Sequence, residues 1–257
     1  MSSDSMSENS FPGSSNSLRN RRWRKRSLYE RFGKRAIDVA VSAFVLVVTL
    51  PVNACIAIRT YFDVGSPILF KQERVGIHGE VFTLVKFRNM TNETDENGQL
   101  LLPEDRVTDF GRFVRSTSLD ELLNFWSIFK GDMSLIGPRP LLVEYRDLWT
   151  EEHLERLGVL PGLECPTPKR IDHAITWQEQ FDNDVWYAAN ISLKTDIKLL
   201  VRLFSLVLDK EQRKAREDGT KGYFIGYRDG EAITEAEVDN WRSSRVFFPG
   251  RNLSEDK

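Results

Sequence analysis

Patterns of hydrophobic and polar positions predict most of the elements of this chain. Alternating apolar residues predict two strands, Ile68–Arg74 and Glu80–Asn89, and the glycines between them predict a hairpin turn. Apolar residues at helical spacing predict four helices: Asp109–Val114, Leu122–Lys130, Glu144–Leu157 and Thr195–Leu208. Weaker strand patterns follow at Tyr223–Tyr227 and Val246–Phe248. The pattern indicates an α+β fold, mainly helical, with a small β-hairpin.

The longest apolar run, Val39–Ile58, is the one candidate for a membrane segment. Its twenty residues would form a helix of ~30 Å, which just matches a bilayer core. Pro51 interrupts the run, and proline removes a backbone donor and bends helices. The residues alone leave three alternatives open: a spanning helix, a helix that enters the membrane and returns, and a buried core helix.

Length and composition exclude several classes of protein. The chain has 257 residues, of which 40% are hydrophobic and 29% charged, so we expect one or two globular domains. A single apolar run excludes a polytopic membrane protein. Two cysteines and three histidines, with no cysteine pair at ligand spacing, exclude a disulfide scaffold and a zinc ribbon.

The charges are unevenly distributed along the chain. Residues 1–18 contain eight serines and no apolar period, which predicts a disordered tail. Residues 19–35 contain nine bases and one acid, whereas the net charge of the whole chain is −2. A basic block beside an apolar segment indicates anionic lipid or nucleic acid. A nucleic acid is disfavoured as the partner. Residues 19–26 contain six bases but only one aromatic residue, Trp23, that could stack on a nucleobase.

Asp120 and Glu121 are the first candidates for chemistry. They follow Ser118, and the spacing of Ser118 and Glu121 fits a capping box, which would be a purely structural role. A carboxylate at such a position can also attack a phosphoryl group, and an adjacent carboxylate can help to hold Mg²⁺.

Four cations are candidates for binding a phosphate group. Lys86 and Arg88 lie two apart on a predicted strand, so both point to one face, which is either a solvated surface or a phosphate clamp. Arg139 lies between two prolines in the segment 137–140, which is either an ordinary turn or a rigid loop that aims the arginine at an anion. Arg115 lies one helical turn after Arg112, just before the two carboxylates.

The predicted helix Thr195–Leu208 is amphipathic. Its polar stripe carries a base every four residues. The helix would therefore either pack on the core or lie in a membrane interface with its bases towards the headgroups.

In their order along the chain, five segments together resemble the bacterial sugar transferases, which are monotopic polyprenyl-phosphate phosphoglycosyltransferases. The matching segments are residues 34–51, 65–90, 106–122, 129–140 and 160–166, with a weaker match at residues 184–200. They include the motifs Asp-Glu-Leu, Gly-Asp-Met-Ser and Gly-Pro-Arg-Pro. The resemblance covers residues 31–208.

The resemblance implies transfer of a phospho-sugar from a UDP-sugar to undecaprenyl phosphate, with release of UMP. Asp120 would be the nucleophile, and Glu121 would support it and a Mg²⁺ ion. Phosphate groups would be bound by four cations: Lys86, Arg88, Arg115 and Arg139. The apolar segment would re-enter the membrane at Pro51. The protein would then contact membrane lipids at the cytoplasmic face of the bacterial inner membrane and would bind no nucleic acid.

The resemblance also suggests a division of the chain. We expect a disordered and then basic arm over residues 1–30, a re-entrant membrane helix over 31–60, a catalytic domain over 61–210 and a C-terminal extension over 211–257. Two segments depart from the family pattern, residues 123–124 and 162–168. A non-catalytic, membrane-attached binding or scaffold protein is therefore the alternative interpretation.

Overall fold

The computed structural model describes residue 13 and residues 15–167, 173, 175–208 and 222–235. The helices are α1 Ser15–Asn20, α2 Lys34–Val64, α3 Pro103–Arg106, α4 Asp109–Ser116, α5 Asn124–Lys130, α6 Trp177–Asn190 and α7 Leu193–Leu208. The strands are β1 Leu69–Val75, β2 Val81–Phe87, β3 Ser134–Ile136, β4 Gly162–Glu164, β5 Phe224–Arg228 and β6 Glu231–Thr234. The strands pair as three two-stranded sheets, which confirms a mixed fold of helices and small sheets.

The described residues form two compact units. The first contains the residues up to Arg35, the segment Arg74–Phe82 and the described residues from Asp132 onwards. The second contains Ala36–Glu73 and Thr83–Gly131. The elements β1 and β2 are therefore each divided between the two units.

Part of the expected N-terminal tail is folded. Residues 15–18, which the serine-rich composition assigns to a disordered tail, form the start of α1, and Leu18 is 2% exposed. The expectation is wrong for these residues because Leu18 packs against Gly79, where an added Cβ would lie 2.4 Å from the leucine Cδ1. Residues 1–12 and 14 lie outside the described residues.

Helix α2 is longer than the apolar run that predicts it, and it continues through Pro51. Together with the turn of π-helix before it, Tyr29–Val64 is the one helix among the described residues that is long and apolar enough to cross a membrane. Its most apolar window has a mean hydropathy of 2.3, and 11% of that window is buried. Many of its large apolar side chains are exposed, Phe44 and Val47 among them.

A buried polar network holds the beginning of α2 within the first unit. The Lys34 Nζ lies 2.7 Å from the Asp196 Oδ2 of α7, and the Tyr29 hydroxyl donates to the same oxygen at 2.7 Å. The Tyr187 hydroxyl of α6 donates to the Asp196 Oδ1, also at 2.7 Å. Both charged side chains are less than a tenth exposed, so each needs the other as a partner.

The predicted hairpin is confirmed. Strands β1 and β2 pair, and a short 3₁₀ turn, Ile77–Gly79, joins them. His78 and Gly79 both have positive φ angles, of 55° and 81°. A left-handed turn of this kind favours glycine, which explains Gly79 in the sequence.

Two apolar clusters form the core of the first unit. The larger one is rich in aromatic residues and includes Trp149, Trp177, Phe181 and Phe224 at its centre. The smaller one lies around Tyr187. Both clusters pack on α6, which the hydrophobic pattern missed, although its Thr176–Glu179 capping box is present in the sequence.

Two other predicted elements, one helix and one strand, do not match an element of the described residues. The predicted helix Glu144–Leu157 is wrong as a single α-helix: the chain forms two 3₁₀ segments, Val143–Leu148 and His153–Gly158. Its large side chains, among them Trp149, are drawn into the aromatic cluster, and this packing overrides the helical spacing. The strand expected at Val246–Phe248 lies outside the described residues.

Candidate active site

In the second unit, a sharp turn between α4 and α5 presents the two candidate carboxylates. The Thr108 hydroxyl caps α4 by accepting from the Gly111 N–H at 2.9 Å. Ser118 then adopts a left-handed conformation with φ of 55°, and Leu119–Leu123 forms a 3₁₀ turn. Non-glycine residues rarely adopt this conformation, so the turn stores strain beside the two carboxylates.

The capping box expected from Ser118 and Glu121 does not form. The Ser118 side chain makes no capping hydrogen bond, because its backbone is left-handed rather than extended. The Glu121 side chain instead accepts a hydrogen bond from Lys86. Its carboxylate therefore serves a tertiary contact and not a local helix cap.

Lys86 joins β2 to this turn. Its Nζ lies 3.0 Å from the Glu121 Oε1 and 3.9 Å from the Asp120 Oδ2. All three side chains are less than a quarter exposed, so water screens their charges only partly. Lys86 thus offsets the repulsion between two adjacent carboxylates.

Asp120 is the more buried member of the pair, at 7% exposure. Burial raises its pKa above the usual range, whereas the ammonium group of Lys86 acts in the opposite direction. Glu121 raises the pKa further, and Arg115 lowers it. Burial and the neighbouring charges thus shift the pKa of Asp120 from its usual value. A shifted pKa of this kind is common for residues that act as nucleophiles.

Lys86 and Arg88, which the sequence pairs on one strand, have different partners in the structure. Arg88 follows the last residue of β2, and its guanidinium donates to the Val64 carbonyl at the end of α2. Its own N–H donates to the Ile68 carbonyl at 3.0 Å. A cation at this position suits the negative end of the α2 dipole. Arg115 is exposed at the end of α4, where it acts on Asp120 electrostatically.

Arg139 belongs to the first unit and is the third residue after the end of β3. Strand β3 pairs in parallel with β4, and the Arg139 Nη1 donates to the Leu163 carbonyl at 3.4 Å. Gly137 and Gly162 approach so closely that a Cβ on either would lie within 3 Å of backbone atoms. The two glycines therefore allow the segment 137–140 to pack directly on β4.

A buried ion pair that the sequence does not reveal supports this segment. The Arg156 Nη2 lies 2.7 Å from the Asp184 Oδ2 and donates to the Arg139 carbonyl at 2.8 Å. Both charged side chains are 1% exposed. In addition, the Tyr187 hydroxyl oxygen lies 3.1 Å from the Ile136 carbonyl oxygen, so Tyr187 shares its one hydrogen between this carbonyl and Asp196. Helix α6 thus supports both ends of the loop that carries Arg139.

The two carboxylates can contribute to a metal site. Among the residues that the structure describes, no group of three or more His, Cys, Asp or Glu side chains is arranged to hold a metal ion. Asp120 and Glu121 offer hard oxygen donors, which suit Mg²⁺. Magnesium is usually bound by one or two carboxylates together with water and substrate phosphates, so two carboxylates are enough for such a site.

Comparison with known proteins shows the family of this chain. Residues 29–210 match the family described as Bacterial sugar transferase. An uncharacterized sugar transferase of Bacillus subtilis, EpsL, is 40% identical over 196 residues, which is 76% of this chain and 97% of the relative.

Two longer relatives have more specific names. The undecaprenyl-phosphate galactose phosphotransferase of Salmonella typhimurium is 31% identical over 198 residues, which is 70% of this chain and 41% of the relative. The UDP-glucose:undecaprenyl-phosphate glucose-1-phosphate transferase of Escherichia coli is 37% identical over 141 residues, which is 52% of this chain and 30% of the relative. The chain thus spans less than half the length of these two relatives. Because the family match covers well over half of the chain, the protein belongs to the bacterial sugar transferase family.

Proposed function

We propose that the protein transfers a phospho-sugar from a UDP-sugar to undecaprenyl phosphate and releases UMP. The names of its longer relatives describe this type of reaction. The observation that carries the proposal is the placement of Lys86 beside Asp120 and Glu121 in a partly buried site. The product would be an undecaprenyl-diphosphate-sugar, formed in the first membrane step of a surface glycan pathway such as exopolysaccharide or lipopolysaccharide synthesis.

The reaction would proceed in two displacements through a covalent intermediate. A carboxylate oxygen of Asp120 attacks the phosphorus that bears the sugar, and the bond from this phosphorus to the oxygen of UMP breaks. A phosphate oxygen of undecaprenyl phosphate then attacks the same phosphorus, and the Asp120 carboxylate leaves. Each displacement is easier than one direct transfer between two polyanions.

The neighbours of Asp120 have separate roles in this scheme. Lys86 offsets the charge that accumulates when a diphosphate approaches two carboxylates. Glu121 holds Lys86 in place by its 3.0 Å contact. Arg115 is exposed and can approach the substrate phosphates. The phosphate contacts of Arg88 and Arg139 stay predictions from the family resemblance.

We propose Mg²⁺ as the cofactor, bound by Asp120 and Glu121 together with the diphosphate. When bound, it would neutralise negative charge on the leaving UMP. Excess chelator should abolish turnover, and added Mg²⁺ should restore it. Undiminished turnover in chelator would show that Lys86 and the arginines suffice.

The covalent step is tested by mass spectrometry. The purified protein is incubated with a UDP-sugar and no lipid acceptor, and the expected result is a sugar-phosphate mass on the peptide that contains Asp120. Asp120→Asn should abolish both this adduct and UMP release. Asp109→Asn is the matched control, because Asp109 is an exposed carboxylate at the start of the neighbouring α4.

The same experiment separates the proposed enzyme from a non-catalytic binding protein. An adduct on a different residue, or wild-type UMP release from Asp120→Asn, would refute the assigned nucleophile. A protein that binds UDP-sugars but releases no UMP with any member of a UDP-sugar panel would be a binding or scaffold protein. The panel also identifies the sugar.

We further propose that α2 enters the cytoplasmic leaflet and returns, so that both chain ends stay in the cytoplasm. The exposed apolar surface of α2 supports contact with the membrane. Pro51 lacks a backbone N–H inside this helix, so it is the position at which α2 would bend to return. Bases lie on both sides of the apolar run, so a spanning helix would place one group of bases outside the cytoplasm. Basic residues next to membrane helices favour the cytoplasmic side, which disfavours a spanning helix. UDP-sugars are cytoplasmic, so the substrate also favours this face.

Helix α7 is a second candidate for membrane contact. Leu199 is fully buried in the smaller apolar cluster, so this part of α7 packs on the core. Leu193, Ile197 and Val201 are each about half exposed or more, next to two lysines. We propose that this exposed side lies in the interface.

A further inference from the structure

The structure divides the basic arm before α2 into two groups of side chains. Arg21 is engaged by Glu151 and Glu155, and Arg24 is engaged by Glu30. The Arg21 contacts hold the arm against the rest of the first unit, whereas the Arg24–Glu30 contact lies within the arm. The other four bases of residues 19–26 are exposed, namely Arg19, Arg22, Lys25 and Arg26. We refer to these four as the exposed basic cluster.

The chain between this cluster and α2 adds exposed apolar side chains. Leu28 is 74% exposed and Phe32 is 64% exposed. They come directly before Lys34, where the apolar helix begins. Bases followed by large exposed apolar residues are typical of segments that lie at a membrane surface.

We propose that the exposed basic cluster is a binding surface for anionic phospholipid headgroups. This surface lies outside the region shared with the family, which begins at residue 29. Its charge complements an anionic leaflet, and it is continuous along the chain with the proposed membrane helix. The surface would hold the start of α2 at the level of the lipid headgroups. It would also make the protein bind the anionic leaflet of the membrane more strongly than a neutral one.

A nucleic acid fits the same surface less well. Single-stranded nucleic acids are usually bound by aromatic rings that stack on bases, next to cations. Trp23, the one aromatic residue within residues 19–26, already stacks on His78 at 4.9 Å, and Arg21 lies 5.5 Å from its ring centre. The exposed Leu28 and Phe32 suit lipid chains rather than phosphates.

The proposal predicts a defined dependence on lipid charge and salt. Each base near an anionic surface contributes about 1 kcal/mol, which is about a fivefold preference. If the four contributions add, neutralising four bases should therefore weaken docking of the arm by up to roughly 600-fold, and a loss of less than about tenfold would contradict the proposal. Because the bases are exposed, 0.5 M NaCl, at which the screening length is only about 4–5 Å, should also release the arm.

The experiment uses the full chain in lipid nanodiscs. Cys55 and Cys165 are replaced by serine, and Asn20→Cys carries an environment-sensitive dye, since Asn20 is exposed between Arg19 and Arg21. Discs contain phosphatidylcholine alone or with 30% phosphatidylglycerol. The expected result is a blue shift of the dye with phosphatidylglycerol only, reversed by salt and lost when the cluster is changed to glutamine.

The controls identify the cause of any shift. The matched variant replaces four bases of the C-terminal extension by glutamine and should keep the shift. These four bases are Arg213, Lys214, Arg216 and Lys221. UMP release should persist in both variants, so a failure of this proposal is distinguishable from a failure of the proposed reaction. Equal spectra in the two kinds of disc, equal loss in both variants, or a shift caused by a short RNA instead would overturn the proposal.

Discussion

The buried Arg156–Asp184 pair provides the sharpest test of how the first unit is held together. Both charged side chains are 1% exposed, and Arg156 also lies 4.8 Å from the ring centre of Trp149. Removing one partner of a buried ion pair typically costs ~3–5 kcal/mol, because the other charge stays buried and unpaired. Asp184→Asn and Arg156→Met should each cost this much. The corresponding fall in Tm is roughly 6–20 °C for a chain of this size.

The measurement is thermal unfolding of the detergent-solubilised protein, followed by tryptophan fluorescence, because Trp149 and Trp177 lie in the affected cluster. The double variant Arg156→Met with Asp184→Asn removes both charges and should be more stable than either single variant. Asp109→Asn breaks an exposed ion pair and should change Tm very little. Additive losses in the double variant, or single losses as small as that of Asp109→Asn, would refute the reasoning.

Three further predictions concern the catalytic site, the turn between β1 and β2, and the membrane helix. Lys86→Met should lower UMP release roughly 10²-fold, because it removes the cation beside Asp120, and unchanged release would exclude an electrostatic role for Lys86. Burial, together with Arg26, lowers the pKa of His78 below 6.5. Stability should therefore fall as the pH decreases from 6.5 towards the lowered value, and His78→Gln should remove that slope in pH-dependent denaturation. In intact cells, Ser15→Cys and Ser254→Cys should both resist an impermeant thiol reagent, whereas labelling of Ser15→Cys alone would show that α2 spans the membrane.

Local patterns along the sequence determined several elements of this protein. The β1–β2 hairpin follows from alternation and turn glycines, and α5 ends at Gly131, which has a φ of 104°. The apolar run identified the core of α2, and adjacent carboxylates identified Asp120 and Glu121 as candidates. These features depend on neighbours within a few residues, so the sequence alone suffices to find them.

Tertiary structure decided how the charged side chains are used. Glu121 has the spacing of a capping residue, yet it pairs with Lys86, 35 residues away. Arg156 and Asp184 are 28 residues apart and carry no motif that marks them as a buried pair. The six bases of residues 19–26 look equivalent in the sequence, but Arg21 is committed to Glu151 and Glu155, more than a hundred residues away. Partners at such separations are chosen by burial and packing, because a charge removed from water must find a counter-charge wherever the fold places one.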